Sequence, residues 1–426
     1  MLSLLLAALV TVAPVREIDL RLPSGAAPGG GLALRVALPP AGRYGPAAPV
    51  VVIVPGGPPG ESQLSDVMAP LAPQGFIEVR FCFPGEGDSA GQADLRGPHA
   101  TDALADVLSF AGGGARAVDG RNLADLAAPL RPASDRFGLL AFANGGNSAI
   151  LALAHHPEQA KGLAWLATWE TPLGDGLPTA LFGLKGLGLS PAYDPRSGRW
   201  EASALAWDRH LVAGAGAVPP GGFYLDLNHN GRFDSGDARL ARFEVSNGDG
   251  PSRAVYPLMV VREAQRRGLC GPQWPAWVLD TAETEDFWAE RNAAPLHPGW
   301  DPMAQVAASF SGLAVMVLGG QVDHLQAAPD HPHVFNAYSA WRRLGMRFAR
   351  LNPAACYQTA AGLAAGPETP PNVDLSRDRL PDRLAPPGTA AGPLAAAAAM
   401  ELADRCQAGN WSAVLDQVLT ATPVNR

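Results

Sequence analysis

Four residues of this chain have side chains suited to moving protons. Asp323, His324 and His333 follow one apolar run, and Glu170 ends another. A histidine beside a carboxylate can act as a general base, because the carboxylate orients the ring and stabilises its charged form. These residues are therefore candidates for activating a water molecule. The alternative is a structural hydrogen-bonding pair, since polar loop residues commonly bond to the chain around them.

A second polar segment has the spacing of a calcium-binding loop. In such loops calcium takes oxygen ligands from the first, third, fifth, seventh, ninth and twelfth positions, with glycine at the sixth. The residues at those ligand positions are Asp226, Asn228, Asn230, Arg232 through its carbonyl, Asp234 and Asp237. Gly231 stands at the turn, and position twelve holds Asp where Glu is usual. We expect a structural Ca²⁺, and the alternative is a metal-free turn of Asx and Gly residues.

The stretch 137–150 reads as a buried strand, a turn of small residues and a helix. The turn is Ala141-Phe-Ala-Asn-Gly145. Where such a turn carries a catalytic serine it reads G-x-S-x-G, because small residues let the backbone hold the hydroxyl above a sheet. Ala143 stands at the nucleophile position, and a methyl group cannot attack a carbonyl. The sequence therefore predicts a nucleophile elbow without its nucleophile.

Apolar runs and turn residues predict an α/β protein with a mostly parallel central sheet flanked by helices. Residues 15–22 and 32–38 predict a hairpin, and the β-branched run 49–55 predicts a strand buried on both faces. Further strands are predicted at 76–83, 139–143, 161–170, 312–320 and 346–351, and helices at 101–111, 147–156 and 394–419. Gly56 and Gly57 follow the buried strand, where a close backbone approach would let them join the Asn144 amide in an oxyanion-type site; the alternative is a simple Gly/Pro turn.

The spacing of these elements predicts the domain organisation. Residues 15–171 and 303–365 form the core, 172–302 form a cap insertion, and 366–426 form a Pro-rich linker and a C-terminal helix. The chain has 426 residues, 47% of them hydrophobic and 17% charged, with a formal net charge of −8. This composition excludes wholesale disorder and offers no basic footprint for nucleic acid.

The first fourteen residues are apolar and are followed by Arg16, which predicts a signal peptide and hence a secreted or periplasmic protein. A buried N-terminal strand or helix is the alternative. No later run is long and uncharged enough to predict a transmembrane anchor.

The cysteines are too widely spaced to predict a zinc site, because no C-x-x-C pair occurs. If the chain is exported, Cys356 and Cys406 would be able to form a bridge. Cys82 lies in an apolar run and is expected to be a buried thiol. The pairing of Cys270 is left open.

Over residues 15–360 the order of these features resembles the α/β-hydrolase superfamily: strand, glycine loop, elbow, insertion, acid loop, last strand. In finer detail the chain resembles a group of exported bacterial α/β-hydrolase-like proteins with a calcium loop in the cap. The matching segments begin at Thr168, Asp226, Phe287, Asp323, Pro329 and Arg350. The resemblance implies a Ser at position 143 and a Gly at 141, where Ala143 and Ala141 depart from it.

The resemblance also implies that Asp323 is the triad acid, and that a base would follow the last strand. No histidine occurs after His333. The resulting prediction is a hydrolase by ancestry, of the ester or peptide class, that is catalytically impaired and binds a small molecule or peptide in its cleft. The alternative is an active hydrolase in which a relocated site of Asp323, His324 and His333, with Glu170, activates water. A third hypothesis, a structural module stabilised by calcium, is compatible with the impaired, ligand-binding hydrolase.

Overall fold

The structure is a computed structural model. It describes residues 14–56, 71–94, 96–171, 193–194, 199–211, 221–240, 243–245, 253–256, 258–269, 301–319, 332–346, 348–351, 356 and 391–411.

A sheet of eight strands forms the centre of the molecule. Its strands are β1 (Arg16–Leu22), β2 (Leu32–Leu38), β3 (Val50–Val54), β4 (Ile77–Phe81), β5 (Phe137–Phe142), β6 (Leu163–Trp169), β7 (Ala314–Leu318) and β8 (Phe348–Leu351). Their order across the sheet is β1-β2-β4-β3-β5-β6-β7-β8. β2 runs antiparallel to β1 and β4, and the other neighbouring pairs are parallel. The predicted hairpin and the mostly parallel sheet are therefore confirmed.

Helices cover both faces of this sheet. They are α1 (Pro98–Ala111), α2 (Leu123–Ala127), α3 (Asn144–His155), α5 (Pro302–Ser309), α6 (Pro332–Arg343) and α7 (Ala391–Ala408), whereas α4 (Leu258–Arg267) lies against the strand Leu205–Asp208 of a smaller sheet. Side chains of α1, α2, α3, α5 and α6 share one apolar core with the sheet, and α7 packs in a second core on the opposite face. None of the helices in the described ranges has both the length and the hydropathy needed to cross a bilayer.

The described residues between β6 and β7 form small sheets that are separate from the central one. Leu205–Asp208, Gly222–Leu225 and Ala238–Arg239 form a three-stranded sheet. Tyr193–Asp194 pairs with Arg199–Trp200, and Phe243–Val245 pairs with Arg253–Val255. A short parallel pair elsewhere joins Ala47–Ala48 to Arg131–Pro132. Single 3₁₀ turns occupy Ala72–Gln74, Ser134–Arg136 and Ala202–Ala204.

Helix α1 begins earlier than the sequence indicates. The prediction of a start at Thr101 is wrong, because Gly97 is the N-cap and Pro98 is the first helical residue, where its missing N–H costs nothing. The Asp94 carboxylate accepts hydrogen bonds from the backbone N–H groups of Gly97 and His99, at 3.0 and 2.6 Å. Burial raises the pKa of Asp94.

Helix α7 is shorter than predicted. It ends at Ala408 and not near 419, because Gly409 adopts φ 64° and the Asn410 N–H then donates to the Arg405 carbonyl at 3.0 Å. A left-handed glycine of this kind commonly ends a helix. From Leu394 to Ala403 the helix is buried, and its alanines let it pack closely against the sheet.

The bridge between Cys356 and Cys406 that export would allow is not formed, and Cys82 is likewise outside any disulfide. Cys356 is buried, and its Sγ donates to Glu401 Oε2 at 3.1 Å, so it faces a carboxylate and not a second sulfur. Cys82 is the buried thiol that was predicted, and burial raises its pKa. Cys270 lies outside the described residues.

Candidate functional site

The elbow lies between β5 and α3, at the centre of the sheet. Ala143 adopts φ 44° and ψ −125°, a conformation that costs a non-glycine residue about 1–3 kcal/mol. Its N–H donates to the Trp169 carbonyl at 2.8 Å, and its carbonyl accepts from the Gly146 N–H at 3.0 Å. The chain therefore holds the strained elbow conformation at Ala143, with a methyl group where a nucleophile would stand.

Glycines allow the end of β3 to approach this elbow. A Cβ at Gly56 would lie 2.0 Å from the Phe142 oxygen and 2.8 Å from the Ala143 Cβ. A Cβ at Gly145 would lie 2.6 Å from the Pro55 oxygen. Gly56 is thus beside Ala143. Gly57 lies outside the described residues.

The next strand, β6, ends beside the elbow with two buried polar residues. Glu170 is 3% exposed and adopts φ 44°, and its N–H donates to the Leu318 carbonyl at the end of β7, at 2.8 Å. Thr171 is 2% exposed and packs against Gly146 in the first turn of α3. The carboxyl ends of β5, β6 and β7 therefore meet at one place, where ligands bind in open α/β sheets.

Two serines near these elements have structural roles. The Ser148 hydroxyl is buried and donates to the Asn144 carbonyl one turn earlier, at 3.4 Å. The Ser89 hydroxyl donates to the Cys82 carbonyl at 2.7 Å and accepts from the Ala33 N–H at 2.8 Å, which ties its loop to β2 and to the end of β4. Neither hydroxyl takes the place of the missing one at Ala143.

The other predicted proton carriers are placed only in part. Asp323 and His324 lie outside the described residues, and His333 is known only as a position in α6. Of the four candidates, Glu170 has its backbone beside the elbow, because the carbonyl of the preceding Trp169 accepts from the Ala143 N–H. Thr171 was not singled out from the sequence, although its position directly after Glu170 at a strand end was a usable signal.

The predicted calcium loop connects two strands of the three-stranded sheet. Its first carboxylate, Asp226, accepts from the N–H groups of Asn230 and Gly231 at 3.0 and 2.8 Å. The last carboxylate, Asp237, accepts from the Leu227 N–H at 3.0 Å and the Asp234 N–H at 2.9 Å. Gly231 adopts φ 77°, as the sixth position requires.

The side chains of this loop are bonded to one another. The amide groups of Asn228 and Asn230 donate to the Asp234 carboxylate at 3.1 and 2.6 Å. Hydrogen bonds from the Gly236 N–H and from these amides lower the pKa of Asp234. In the part of the chain that the structure describes, no three His, Cys, Asp or Glu side chains are gathered as a metal site requires. The amide oxygens of Asn228 and Asn230 accept from the Asn230 and Arg232 N–H groups at 3.1 and 2.9 Å. Carboxylate and amide oxygens are ligands that calcium takes, so the residue types fit calcium.

The sheet order, the reversed second strand and the elbow after β5 together define the α/β-hydrolase fold. Similar solved structures carry names of that class. One is an alpha/beta hydrolase, GrgF from Penicillium sp. sh18, with 13% identity over 77% of this chain and 86% of that chain, at a TM-score of 0.35.

Two further structures match shorter parts. One is the 2-hydroxy-6-oxo-6-phenylhexa-2,4-dienoate hydrolase from Rhodococcus sp. strain RHA1. The match has 17% sequence identity and a TM-score of 0.27, and it covers 39% of this chain and 52% of that chain. The other is EstE1, a thermostable carboxylesterase from a metagenomic library. The match has 16% sequence identity and a TM-score of 0.26, and it covers 40% of this chain and 51% of that chain. The chain thus spans about half the length of these two enzymes. No protein-family model and no curated protein sequence matches the chain.

Proposed function

We propose that this protein is a ligand-binding α/β-hydrolase-fold protein that is impaired as a serine hydrolase. The observation that carries the proposal is that Ala143, which is 5% exposed, places a methyl group at the strained N-cap position of α3. A triad without its nucleophile keeps only the acceleration supplied by oxyanion donors and binding, on the order of 10³ to 10⁴ over water. What remains is the end of the sheet at the start of α3, where ligands bind in open α/β sheets, and this supports binding of a small molecule or peptide.

Labelling with a fluorophosphonate probe tests this proposal. We expect the purified full chain to remain unlabelled, while a known serine esterase in the same reaction is labelled strongly. The variant Ala143→Ser restores the hydroxyl, and we expect it to stay weakly labelled because a serine needs an adjacent base to become a good nucleophile. Robust labelling of the wild type at any serine would refute the proposal.

Glu170 favours a second candidate function, in which the protein activates water without a covalent step. The proposal is supported by the burial of Glu170, which is 3% exposed and whose backbone follows Trp169 beside the elbow, since a buried carboxylate is a candidate general base. A screen of esters, lactones and peptides tests this alternative, with Glu170→Gln, Asp323→Asn and His324→Ala as variants. Turnover that is lost in these variants supports it, and a flat screen removes it.

We also propose export and a structural Ca²⁺ in the loop from Asp226 to Asp237. Export is supported by the apolar residues 1–14, and cell fractionation of a C-terminally tagged chain tests it. The calcium is supported by the oxygen-bearing residues and by the left-handed Gly231. Bound there, the ion would neutralise three carboxylates and stabilise the connection between two strands.

A further inference from the structure

We propose that Asn230, in the loop from Asp226 to Asp237, is a site of spontaneous deamidation in the folded protein. There the chain converts its own side-chain amide into aspartate or into backbone-shifted isoaspartate. This modification belongs to the metal-free loop and needs no ligand at the elbow, so it goes beyond the function proposed above.

The reaction joins two groups that are neighbours in the chain. The Gly231 nitrogen attacks Cγ of Asn230 and forms a cyclic imide. The proton of that N–H is carried by water to Nδ2, which leaves as ammonia. Water then opens the imide at either of its carbonyls, which gives aspartate or isoaspartate. Water is the co-reactant and nothing is oxidised or reduced, so asparagine is counted among the thermolabile residue types.

Gly231 leaves room for the ring to form. Glycine carries no Cβ that would hinder attack by its own nitrogen. A Cβ built on Gly231 would meet no other atom within 4 Å, so the space beside this peptide group is open. Asn230 and Gly231 are both exposed, and water can therefore reach the amide and the imide.

Hydrogen bonds in the loop prepare both reacting groups. The Arg232 N–H donates to Asn230 Oδ1 at 2.9 Å, which folds the side chain back along the main chain and draws electron density from Cγ. The Gly231 N–H donates to Asp226 Oδ2 at 2.8 Å, and a charged acceptor of this kind leaves more electron density on the attacking nitrogen. The bond that opposes the reaction joins Asn230 Nδ2 to Asp234 Oδ2 at 2.6 Å, because it must break as ammonia leaves.

Asn144 and Gly145 form the same pair of residues in a different setting. They are the first two residues of α3. A helical ψ of about −42° holds the next nitrogen out of the plane that the imide ring requires. A Cβ at Gly145 would also lie 2.6 Å from the Pro55 oxygen, so the surroundings are crowded. We therefore expect Asn144 to keep its amide while Asn230 loses it.

Either product changes the loop. Aspartate adds a fourth carboxylate to those of Asp226, Asp234 and Asp237. Isoaspartate adds an atom to the main chain and shifts every ligand position that follows. Asn230 stands at the fifth position, from which calcium takes an oxygen. If the calcium proposed above is bound, ring closure must withdraw that oxygen from the ion, so calcium should slow the reaction.

Peptide mapping by mass spectrometry tests the proposal on the full chain. The protein is incubated with a chelator at mildly alkaline pH, and fragment masses report the exchange of an amide for a hydroxyl at each asparagine. We expect Asn230 to be converted several-fold faster than Asn144. In urea, where neither setting survives, the two residues should react at similar rates. Asn247 precedes Gly248 outside the described residues, and its product is read on a separate peptide.

Two variants and the addition of calcium complete the test. Gly231→Ala places a methyl group beside the attacking nitrogen and should slow conversion several-fold. Asn230→Gln lengthens the side chain and should abolish conversion at this position. The melting temperature of each variant shows that it is folded. Millimolar calcium in place of the chelator should slow conversion of the wild type at Asn230.

The proposal is overturned if the folded chain keeps the Asn230 amide while the urea-treated chain loses it. It is also overturned if Asn144 reacts as fast as Asn230, or if Gly231→Ala reacts as the wild type does. Conversion that calcium leaves unchanged supports the modification and counts against the calcium site. Labelling of a serine by fluorophosphonate refutes the proposed function and has no bearing on Asn230, so the two failures are distinguishable.

Discussion

Arg43 and Asp404 are 361 residues apart in sequence and form a two-pronged ion pair. Arg43 Nε lies 2.7 Å from Asp404 Oδ1, and Nη2 lies 2.6 Å from Oδ2. The Tyr44 hydroxyl also donates to Asp404 Oδ1, at 2.8 Å. The side chains of Arg43 and Asp404 are 6% and 16% exposed, so this contact ties α7 to the loop before β3 inside the protein.

Replacing one partner of this pair should destabilise the whole fold. Removing one side of a buried ion pair leaves the other charge uncompensated, so Asp404→Ala should lower the free energy of unfolding by about 3 kcal/mol. Urea denaturation measures the change. The control is Asp119→Ala, which removes the partner of Arg121 on the surface and should have a far smaller effect. Equal shifts in the two variants would contradict the structural role of Asp404.

Strain at the elbow predicts that Ala143→Gly is tolerated or stabilising. Glycine reaches φ 44° without the Cβ penalty, so the variant should gain about 1 kcal/mol after its extra chain entropy is counted. The matched control is Ala149→Gly, which is also buried but lies within α3 and should lose about 1 kcal/mol or more. Thermal unfolding of both variants provides the measurement. A loss at Ala143 as large as that at Ala149 would mean that the turn is not strained.

The contribution of Asp94 to the free energy of unfolding should decrease as the pH rises. Burial raises its pKa in the folded protein, so the folded state binds more protons than the unfolded state above about pH 3.9. Its contribution is therefore complete below that pH and is lost as the pH rises through the folded pKa. The difference in unfolding free energy between wild type and Asp94→Asn should fall across this window.

The control for this pH effect has the opposite sign. The hydrogen bond from Arg121 lowers the pKa of Asp119, so the difference between wild type and Asp119→Asn should rise with pH. Urea titrations at pH steps from 3 to 7 would compare the two variants. Parallel slopes would show that burial does not govern the ionisation of Asp94.

Calcium binding predicts a concentration-dependent gain in melting temperature. An ion that binds only the folded state adds about 2.7 kcal/mol at a hundredfold excess over its Kd. Asp226→Asn should reduce this gain, while Asp208→Asn, a carboxylate outside the loop, should leave it unchanged. Calcium that fails to shift the melting temperature at millimolar concentration would exclude the site.

The sheet could be predicted from the sequence because its strands are short apolar runs bounded by Gly and Pro. Val50–Val54 and Ala314–Leu318 are buried at every position, as strands covered on both faces must be. The elbow was predictable for a similar reason, since small residues follow the apolar strand that ends at Phe142. Local patterns of this kind are sufficient where neighbours in sequence determine the structure.

Features that depend on distant residues could not be predicted. Nothing near Asp404 indicates that Arg43 reaches it, and nothing near Cys356 indicates that Glu401 accepts from its thiol. The start of α1 was missed because proline is found both at the first position of helices and just after their ends. Here Pro98 follows the N-cap residue Gly97, so it begins the helix. Thr171 was missed because the lack of a partner for its hydroxyl is a three-dimensional property.

The packing of α7 also bears on how the molecule is made. Strands β5, β6 and β7 are covered on one face by residues of α7 from Leu394 onward, and α7 follows all three strands in the sequence. Until that segment has left the ribosome, an apolar sheet face has no cover, and newly made chains with such a face are prone to aggregate. Because α7 follows these strands in the sequence, chains released before α7 has been made should expose this face and depend on chaperones.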